Sequence, residues 1–177
     1  MRLAMAIDTK KCIGCGDCVI ACQSENRIPE GYCRSWISES VTGSYPDVQA
    51  VLQSERCNHC DNAPCVRCCP TDSSYVQEDG TVMVDPKKCI GCGACIESCP
   101  YDARMFHPDG YADKCTFCDH LVAQGSNPAC VGVCPTNCMF FGDIDDPESD
   151  LSKLLRSRKW NTLIPEAGTK PQVYYLS

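Results

Sequence analysis

The chain has 177 residues, a formal net charge of -7 and 19 cysteines. The negative charge argues against nucleic-acid binding, which needs a basic surface, and no apolar run approaches the roughly 18 residues of a membrane span. Cysteine at this density indicates a disulfide scaffold or metal binding. Because the 44% apolar content includes the cysteines, we expect metal–thiolate bonds to contribute to folding and the metal-free chain to be largely unfolded.

The first predicted element is a strand over Leu3–Asp8, a short apolar run. The first cysteine group follows it and consists of Cys12, Cys15, Cys18 and Cys22. We expect a short helix over Val19–Glu25 with its cysteine facing inward, ending near Ile28-Pro29 because proline cannot continue a helix. The stretch before Cys12 leaves no room for a secretory leader and carries no twin arginine. We therefore expect a soluble chain without an export signal of its own.

Residues 30 to 55 predict a β-hairpin. Two runs rich in aromatic and β-branched residues, Trp36–Val41 and Val48–Gln53, flank the turn residues Gly43-Ser44-Tyr45-Pro46. The hairpin is either a cover for the adjacent metal sites or a docking surface for a partner. The sequence leaves both open.

The second cysteine group, CNHCDNAPCVRCCP, holds five cysteines, one more than a four-ligand site needs: Cys57, Cys60, Cys65, Cys68 and Cys69. His59 lies inside its first Cys-x-x-Cys loop, and we expect it to contact a metal centre rather than to ligate iron. After the group, Ser74–Gln77 and Thr81–Val84 flank Glu78-Asp79-Gly80, which predicts a tight hairpin.

The third group is the stretch Cys89 to Pro100, CIGCGACIESCP. Three cysteines two residues apart, then a fourth and a proline, form the run with which bacterial ferredoxins hold a [4Fe–4S] cube. Zinc ribbons and disulfide scaffolds are the alternatives, but neither ordinarily uses a cysteine triplet followed by Cys-Pro. The fourth cysteine of such a run ligates a different cluster, so Cys99 indicates that a second cube is present.

The remaining chain predicts a strand from Tyr101 through Phe106, a turn at His107–Gly110 and a late helix over roughly Glu148–Lys159. Asp146 is the predicted N-cap of that helix. The lysines and arginines of the helix form either a solvated face or a contact for an acidic partner. Between the turn and the helix, the fourth group supplies Cys115, Cys118, Cys130 and Cys134.

Two internal repeats relate the four groups. Residues 8–22 match residues 85–99 at an offset of 77, all four cysteines included. The second and fourth groups match at an offset of 58 in their first Cys-x-x-Cys pair and at an offset of 65 in their last cysteines. In that register Cys68 lies opposite Val133, so Cys69 is the predicted ligand and Cys68 a small buried hydrophobe. Cys33 and Cys138 have no counterpart and are expected to be packing residues or ordinary thiols.

Sixteen cysteines then remain as predicted ligands, enough for four cubes. Because the fourth cysteine of each run serves another cluster, the groups must exchange ligands in pairs. Pairing the first group with the second, and the third with the fourth, satisfies the same count as nesting the middle two groups inside the outer two. Spacing alone does not decide between these pairings.

The four-group order, the segments CNHCDNAPC and DKCTFCDH, and the ending GTKPQVYYL resemble the iron–sulfur electron-transfer subunits of molybdopterin oxidoreductases. The chain is most like the beta subunit of polysulfide and thiosulfate reductases. The resemblance spans essentially the whole chain and implies an α+β fold of two nested ferredoxin-like [4Fe–4S] modules, with short strands, short helices and long loops. It implies four [4Fe–4S] sites: site 1, Cys12, Cys15, Cys18 and Cys134; site 2, Cys115, Cys118, Cys130 and Cys22; site 3, Cys57, Cys60, Cys65 and Cys99; site 4, Cys89, Cys92, Cys95 and Cys69.

The resemblance also implies a domain division and a function. The domains would be an outer module, an inner module, a hairpin insertion and a C-terminal helix with its tail: residues 1–30 plus 110–145, residues 56–109, residues 31–55, and residues 146–177. The chain would perform no catalysis itself. It would relay single electrons between a large molybdopterin (Mo or W) catalytic subunit and a quinone-reactive membrane subunit, in anaerobic respiration of sulfur or related oxyanion compounds.

One further expectation follows from the same resemblance, and two other hypotheses for the function compete with it. Co-export with a catalytic subunit would place the chain at the periplasmic face of the membrane, with a cytoplasmic complex as the alternative. A freely diffusing polyferredoxin is a second hypothesis for the function. An iron–sulfur redox sensor or assembly scaffold is a third, although the chain has no output domain.

Overall fold

A computed structural model describes residues 1–177 and shows the α+β architecture that the sequence predicted. The strands are β1 Leu3–Asp8, β2 Ser35–Ser44, β3 Asp47–Arg56, β4 Ser74–Val76, β5 Val82–Val84, β6 Met105–Phe106, β7 Ala112–Asp113, β8 Met139–Asp143, β9 Trp160–Asn161 and β10 Val173–Leu176. The helices are α1 Asp17–Glu25, α2 Pro64–Arg67, α3 Ala94–Glu97, α4 Asp119–Val122, α5 Ala129–Gly132 and α6 Asp150–Ser157, with a 3-10 turn over Pro165–Ala167. No helix has both the length and the apolar character needed to cross a membrane.

The largest sheet brings the two ends of the chain together. Its strand order is β8-β1-β10-β9, with β10 parallel to β1 and β8 antiparallel to it. Every residue of β1 is buried, as expected for an apolar strand with neighbours on both edges. The last strand of the chain therefore lies beside the first and fixes the entry to the first cysteine group.

The predicted hairpin of β2 and β3 is confirmed and is longer than expected, with Ser35 paired to Arg56 and Ser44 to Asp47. Its inner end is buried, and Ser54 Oγ lies 3.3 Å from Cys18 Sγ. Residues 39–51, at its outer end, are exposed. The inner end therefore covers a cysteine group, while the outer end extends into solvent.

Two local predictions need correction. The predicted strand from Tyr101 shortens to Met105–Phe106, because Asp102 adopts a left-handed conformation (φ 49°) that a strand cannot contain. Helix α6 begins at Asp150, and its N-cap is Ser149, whose Oγ accepts a hydrogen bond from Ser152 N at 3.1 Å. The predicted N-cap, Asp146, instead accepts from Glu148 N in the preceding turn.

The other predicted elements are confirmed with small shifts. Helix α1 starts at Asp17, two residues before the predicted start, and buries Cys22. The hairpin of β4 and β5 forms as predicted. On α6, Lys153 pairs with Glu148 at 3.1 Å, and just beyond the helix Arg158 pairs with the buried Asp8. Two of the basic side chains of this segment therefore form ion pairs within the chain.

The interior depends on sulfur as much as on hydrocarbon. The main core cluster contains 20 buried residues, and eight of them are cysteines: Cys18, Cys57, Cys60, Cys65, Cys95, Cys115, Cys130 and Cys138. A second, smaller cluster packs α6 on the sheet through Leu151, Leu176 and two alanines of β1. Apart from that small cluster, the buried residues surround thiols rather than each other.

Candidate metal centres

The predicted ligands of site 1 line one chamber of about 280 Å³, together with Cys138. The loop before α1 turns through Gly14 (φ 66°) and Gly16 (φ 82°), conformations that suit glycine. The hairpin closes the chamber, since a Cβ on Gly14 would lie 3.1 Å from Leu52. Three cysteines of the first group thus face Cys134, which follows α5 more than a hundred residues later.

The predicted ligands of site 4, Cys69, Cys89, Cys92 and Cys95, line a second chamber of about 330 Å³. Here the equivalent loop turns through Gly91, where a Cβ would lie only 2.6 Å from the Gly110 carbonyl oxygen. Only glycine allows that approach of the two backbones. The offset of 77 found in the sequence therefore relates two loops of similar geometry.

The last cysteine of each chamber is held by similar hydrogen bonds. Ser74 N donates to Cys69 Sγ at 3.4 Å, and Cys138 N donates to Cys134 Sγ at the same distance. Burial raises the pKa of both thiols, but hydrogen bonds outweigh it, chiefly from Ser74 N at Cys69 and from Cys138 N at Cys134, so both pKa values are lowered. Hydrogen bonds to a thiolate favour it over the thiol, so these two positions are prepared as anions.

The predicted ligands of site 3 lie deeper in the molecule. Burial raises the pKa of the Cys60 thiol to about 12, and the charges of Cys57, Cys65 and Cys99 act in the same direction. Cys57, Cys60 and Cys65 are buried and Cys99 is half-buried. Four thiols that repel each other as anions therefore converge in the interior.

The predicted ligands of site 2 are all buried. Burial raises the pKa of the Cys22 thiol to about 11, with further contributions from Cys130 and Cys118. Burial and the charge of Cys22 likewise raise the pKa of Cys115. Asn26 Nδ2 lies 3.7 Å from Cys22 Sγ and 3.6 Å from Cys118 Sγ. A cysteine of the first group thus lies among the cysteines of the fourth.

The three cysteines outside the predicted ligand set differ in their surroundings. Cys33 is exposed and Cys138 is buried, with its Sγ 3.4 Å from Cys134 Sγ. Cys68 was expected to be a buried hydrophobe, but it is only half-buried and shares a hydrogen bond with Ser98 Oγ at 3.3 Å. The prediction for Cys68 is wrong in that respect, because its position at the end of α2 turns the thiol toward a hydroxyl.

His59 is buried and uses its Nδ1 to accept a hydrogen bond from Val82 N at 3.1 Å. Its ring stacks on Phe117 with 3.8 Å between ring centroids. Burial and the nearby Lys114, Arg104 and Arg56 lower its pKa, so the ring is neutral. Its Nε2 is buried without a hydrogen-bond partner, and the expectation that His59 contacts a centre rather than ligating iron stays a prediction.

Sequence reasoning missed three buried cations, Arg56, Arg104 and Lys114, which lie among the thiols. None of them pairs with a carboxylate. Arg56 Nη1 donates to Cys130 Sγ at 3.0 Å, and Arg104 Nη2 donates to Cys65 Sγ at 3.0 Å. The sequence offered no distinguishing signal, since a basic residue directly precedes the first cysteine of all four groups and none of these residues is Arg104.

This donor set fits anionic iron–sulfur cubes. Buried cations require anions nearby, and iron-bound thiolates supply them. Several buried polar atoms also lack a partner: Arg56 Nε, His59 Nε2, Arg104 Nε and Arg104 Nη1. No three His, Cys, Asp or Glu side chains converge tightly enough to hold a single metal ion. A cube instead binds its four thiolates through four separate irons.

Exposure separates the four sites into two classes. In site 1 Cys15 is exposed, and in site 4 the repeat-equivalent Cys92 is exposed. The neighbouring isoleucines, Ile13 and Ile90, are 60% and 65% exposed. Sites 2 and 3 have no exposed cysteine. We call sites 1 and 4 the terminal sites and sites 2 and 3 the central sites.

Comparison with known families identifies the class of this fold. Residues 48–144 match the family described as the 4Fe-4S dicluster domain, and residues 5–25 match the 4Fe-4S binding domain. The chain is therefore a ferredoxin-like [4Fe–4S] protein, as its cysteine spacing predicted.

Similar proteins narrow the class further. The chain is 44% identical over 99% of its length to a tetrathionate reductase subunit of Salmonella typhimurium, and it covers 72% of that protein. It is 45% identical over 98% of its length to a polysulfide reductase chain of Wolinella succinogenes, covering 93%. It is 35% identical over 99% of its length to the arsenate respiratory reductase iron-sulfur subunit ArrB of a Shewanella strain, covering 96%. The chain therefore belongs to the family of iron–sulfur electron-transfer subunits of respiratory reductases, which confirms the predicted resemblance.

Proposed function

We propose that this subunit carries four [4Fe–4S] clusters and relays single electrons between a molybdopterin catalytic subunit and a quinone-reactive membrane subunit. The proposed physiological role is in anaerobic respiration of sulfur or related oxyanion compounds. The relatives that carry the names tetrathionate, polysulfide and arsenate reductase support this substrate class.

The observation that carries the proposal is that each terminal site has an exposed cysteine, whereas neither central site has one. Cys15 and Cys92 are exposed, whereas all of site 2 is buried. Electron transfer between proteins needs a centre near the surface on each partner, and a relay needs two such surfaces. A storage or sensor protein has no need of a second one.

We assign the ligands as the sixteen cysteines of sites 1 to 4, in the nested pairing. The proximity of Cys22 to the fourth group, and of Cys134 to the first, supports this pairing over pairing of consecutive groups. The same nesting supports an outer module of residues 1–30 plus 110–145 around an inner module of residues 56–109. The hairpin and the C-terminal segment are then additions to the outer module.

The clusters, when bound, exchange one electron each with little change in geometry, and potential is tuned by hydrogen bonds and burial. The protein supplies that tuning. Thr71 and Thr136 hydroxyls lie 3.8 Å and 3.6 Å from Cys69 Sγ and Cys134 Sγ at the terminal sites. At the central sites, Phe117 lies between Cys115 and Cys118 in the chain and is buried, with its ring stacked on His59.

We further propose that the assembled complex lies at the periplasmic face of the membrane. In this proposal the catalytic subunit carries the export signal and the folded pair is exported together. Fractionation of cells that express the chain with and without its catalytic subunit tests it. Export that persists without the catalytic subunit contradicts it.

Copurification of the tagged chain from its native cells tests the function. We expect a large partner containing molybdenum or tungsten, a membrane partner, and about sixteen iron atoms on this subunit. Metal analysis and mass spectrometry give the readout. A monomer that is reduced rapidly by soluble donors would support the polyferredoxin alternative, and oxygen-driven change of a binding partner would support a sensor.

A further inference from the structure

Three buried cations lie among the predicted ligands, one at each boundary between consecutive sites. Arg56 and Lys114 are each 1% exposed and Arg104 is 5% exposed. Desolvating a charge in this way is costly unless an opposite charge lies beside it. Each cation lies between segments that carry the predicted ligands of a different pair of sites.

Arg56 lies between sites 1 and 2. Its Nη1 donates to Cys130 Sγ at 3.0 Å, and its Nη2 donates to Ser54 Oγ. Ser54 Oγ in turn lies 3.3 Å from Cys18 Sγ. A continuous path of hydrogen bonds therefore runs from a ligand of site 2, through the guanidinium, to a ligand of site 1.

Lys114 lies between sites 2 and 3. Its Nζ donates to the carbonyl oxygen of Cys115 at 2.7 Å and to that of Val82. Val82 N in turn donates to His59 Nδ1, inside the Cys57–Cys60 loop of site 3, at 3.1 Å. Two carbonyl oxygens thus hold the ammonium group at the boundary between the inner and outer modules.

Arg104 lies between sites 3 and 4. Its Nη2 donates to Cys65 Sγ at 3.0 Å and to Ser74 Oγ at 2.7 Å. It also lines the site 4 chamber, where it faces Cys95. Each of the three boundaries between consecutive sites therefore contains one buried cation.

The central boundary has approximate twofold symmetry. Arg56 directly precedes Cys57 and Lys114 directly precedes Cys115, so the offset of 58 that relates the two groups also relates the cations. The same offset relates the stacked rings of His59 and Phe117. Each cation nevertheless crosses the boundary: Arg56 contacts the fourth group at Cys130, and Lys114 faces the second group.

We propose that Arg56, Lys114 and Arg104 are junction cations, each shared by two neighbouring clusters and each raising the reduction potentials of those two clusters alone. The inference rests on the proposed four-cluster function. A fixed positive charge stabilises the reduced cluster, which carries one more negative charge, and low-dielectric surroundings strengthen that effect.

Potentiometric titration of the purified complex, followed by electron paramagnetic resonance, tests this arrangement. Arg56→Gln, Lys114→Met and Arg104→Gln should each make reduction of two of four clusters at least tenfold less favourable. For a one-electron couple, tenfold corresponds to about 59 mV. The pairs should overlap in a fixed pattern: the Arg56 and Arg104 pairs share no cluster, and the Lys114 pair shares one cluster with each.

Controls separate charge from packing. Lys114→Arg keeps the charge and should restore most of the potential. Arg67→Gln removes an exposed arginine two residues from Cys65 and should change reduction of any cluster less than about threefold, because solvent screens its charge. Equal shifts in all four clusters, or equal shifts from Lys114→Met and Lys114→Arg, would overturn the proposal.

If a variant that lacks one of the three cations loses iron, a further variant still tests the proposal. Ser54→Ala keeps all three cations and removes both contacts through which Arg56 reaches Cys18: the hydrogen bond from Arg56 Nη2 to Ser54 Oγ and the one between Ser54 Oγ and Cys18 Sγ. It should lower the potential of the same two clusters as Arg56→Gln, by a smaller amount, and a shift in the other two would contradict the inference. Iron content distinguishes the two hypotheses: fewer than four cubes on the wild-type chain would refute the proposed function, whereas four cubes without the overlap pattern would refute only the junction cations.

Discussion

The terminal and central sites use the same ligands in opposite surroundings. At the terminal sites, Cys69 and Cys134 accept backbone hydrogen bonds that lower their pKa values, and Cys15 and Cys92 reach the surface. At the central sites, burial raises the pKa values of Cys22, Cys60, Cys65 and Cys115, and two guanidinium groups donate to Cys130 and Cys65. Under the proposed function, this difference assigns two tasks: the terminal sites would exchange electrons with partners, and the central sites would carry electrons through the interior.

The largest expected effect comes from removing one ligand of each class. Cys65→Ala should reduce iron content by more than one cube and prevent stable folding, because Arg104 would lose its sulfur partner at 3.0 Å. Leaving a buried charge unpaired costs about 3–5 kcal/mol. Cys92→Ala should remove no more than one cube, since water can reach that exposed position. Iron and sulfide analysis with circular dichroism gives the comparison, and equal losses in the two variants would show that burial does not separate the classes.

A smaller effect is expected at the two exposed isoleucines. Ile13→Asp and Ile90→Asp should each slow electron transfer to one partner subunit roughly tenfold, because a charge in the middle of a docking surface costs more than about 1 kcal/mol. Iron content should not change, and each rate is compared at the potentials measured for that variant, because both isoleucines line the terminal chambers. Stopped-flow reduction of the assembled complex from each side measures the two rates.

Ile164→Asp is the matched control for both substitutions. Ile164 is 38% exposed and lines neither terminal chamber. It should leave both rates unchanged. If Ile13→Asp and Ile90→Asp slow the same partner, the chain does not have one docking surface at each end.

The smallest expected effect concerns hydrogen bonding at the terminal sites. Thr71→Val and Thr136→Val remove a hydroxyl near Cys69 and Cys134, and each should lower the potential of one terminal cluster. A net hydrogen bond of about 0.5–1.5 kcal/mol corresponds to roughly 20–60 mV for one electron. Redox titration measures the shift. Thr116→Val provides the control, because Thr116 makes no hydrogen bond to sulfur, and a similar shift in that variant would remove hydrogen bonding as the cause.

Much of the site was predictable because metal ligation leaves a spacing signal. The repeats at offsets 77 and 58 identified the cysteine loops and the glycine-rich turn that the structure shows at Gly91, and the offset of 65 predicted Cys69 rather than Cys68 as a ligand. The N-cap of α6 was predicted wrongly, since Asp146 and Ser149 are both good N-cap residues and only the packing of the helix on the sheet selects between them. The prediction that Cys68 is a buried hydrophobe was wrong for a related reason, because its surroundings depend on Ser98, thirty residues away.

The sequence by itself determined the chemistry of this protein. Cysteine spacing identified the [4Fe–4S] sites, because ligands on one loop must follow the local geometry of a cube. The tertiary structure decided which cysteines from distant groups meet, which sites reach the surface, and where the buried cations lie. Those features depend on contacts between segments far apart in the chain: Arg56 precedes Cys57 but hydrogen-bonds Cys130, and local spacing contains no record of that crossing.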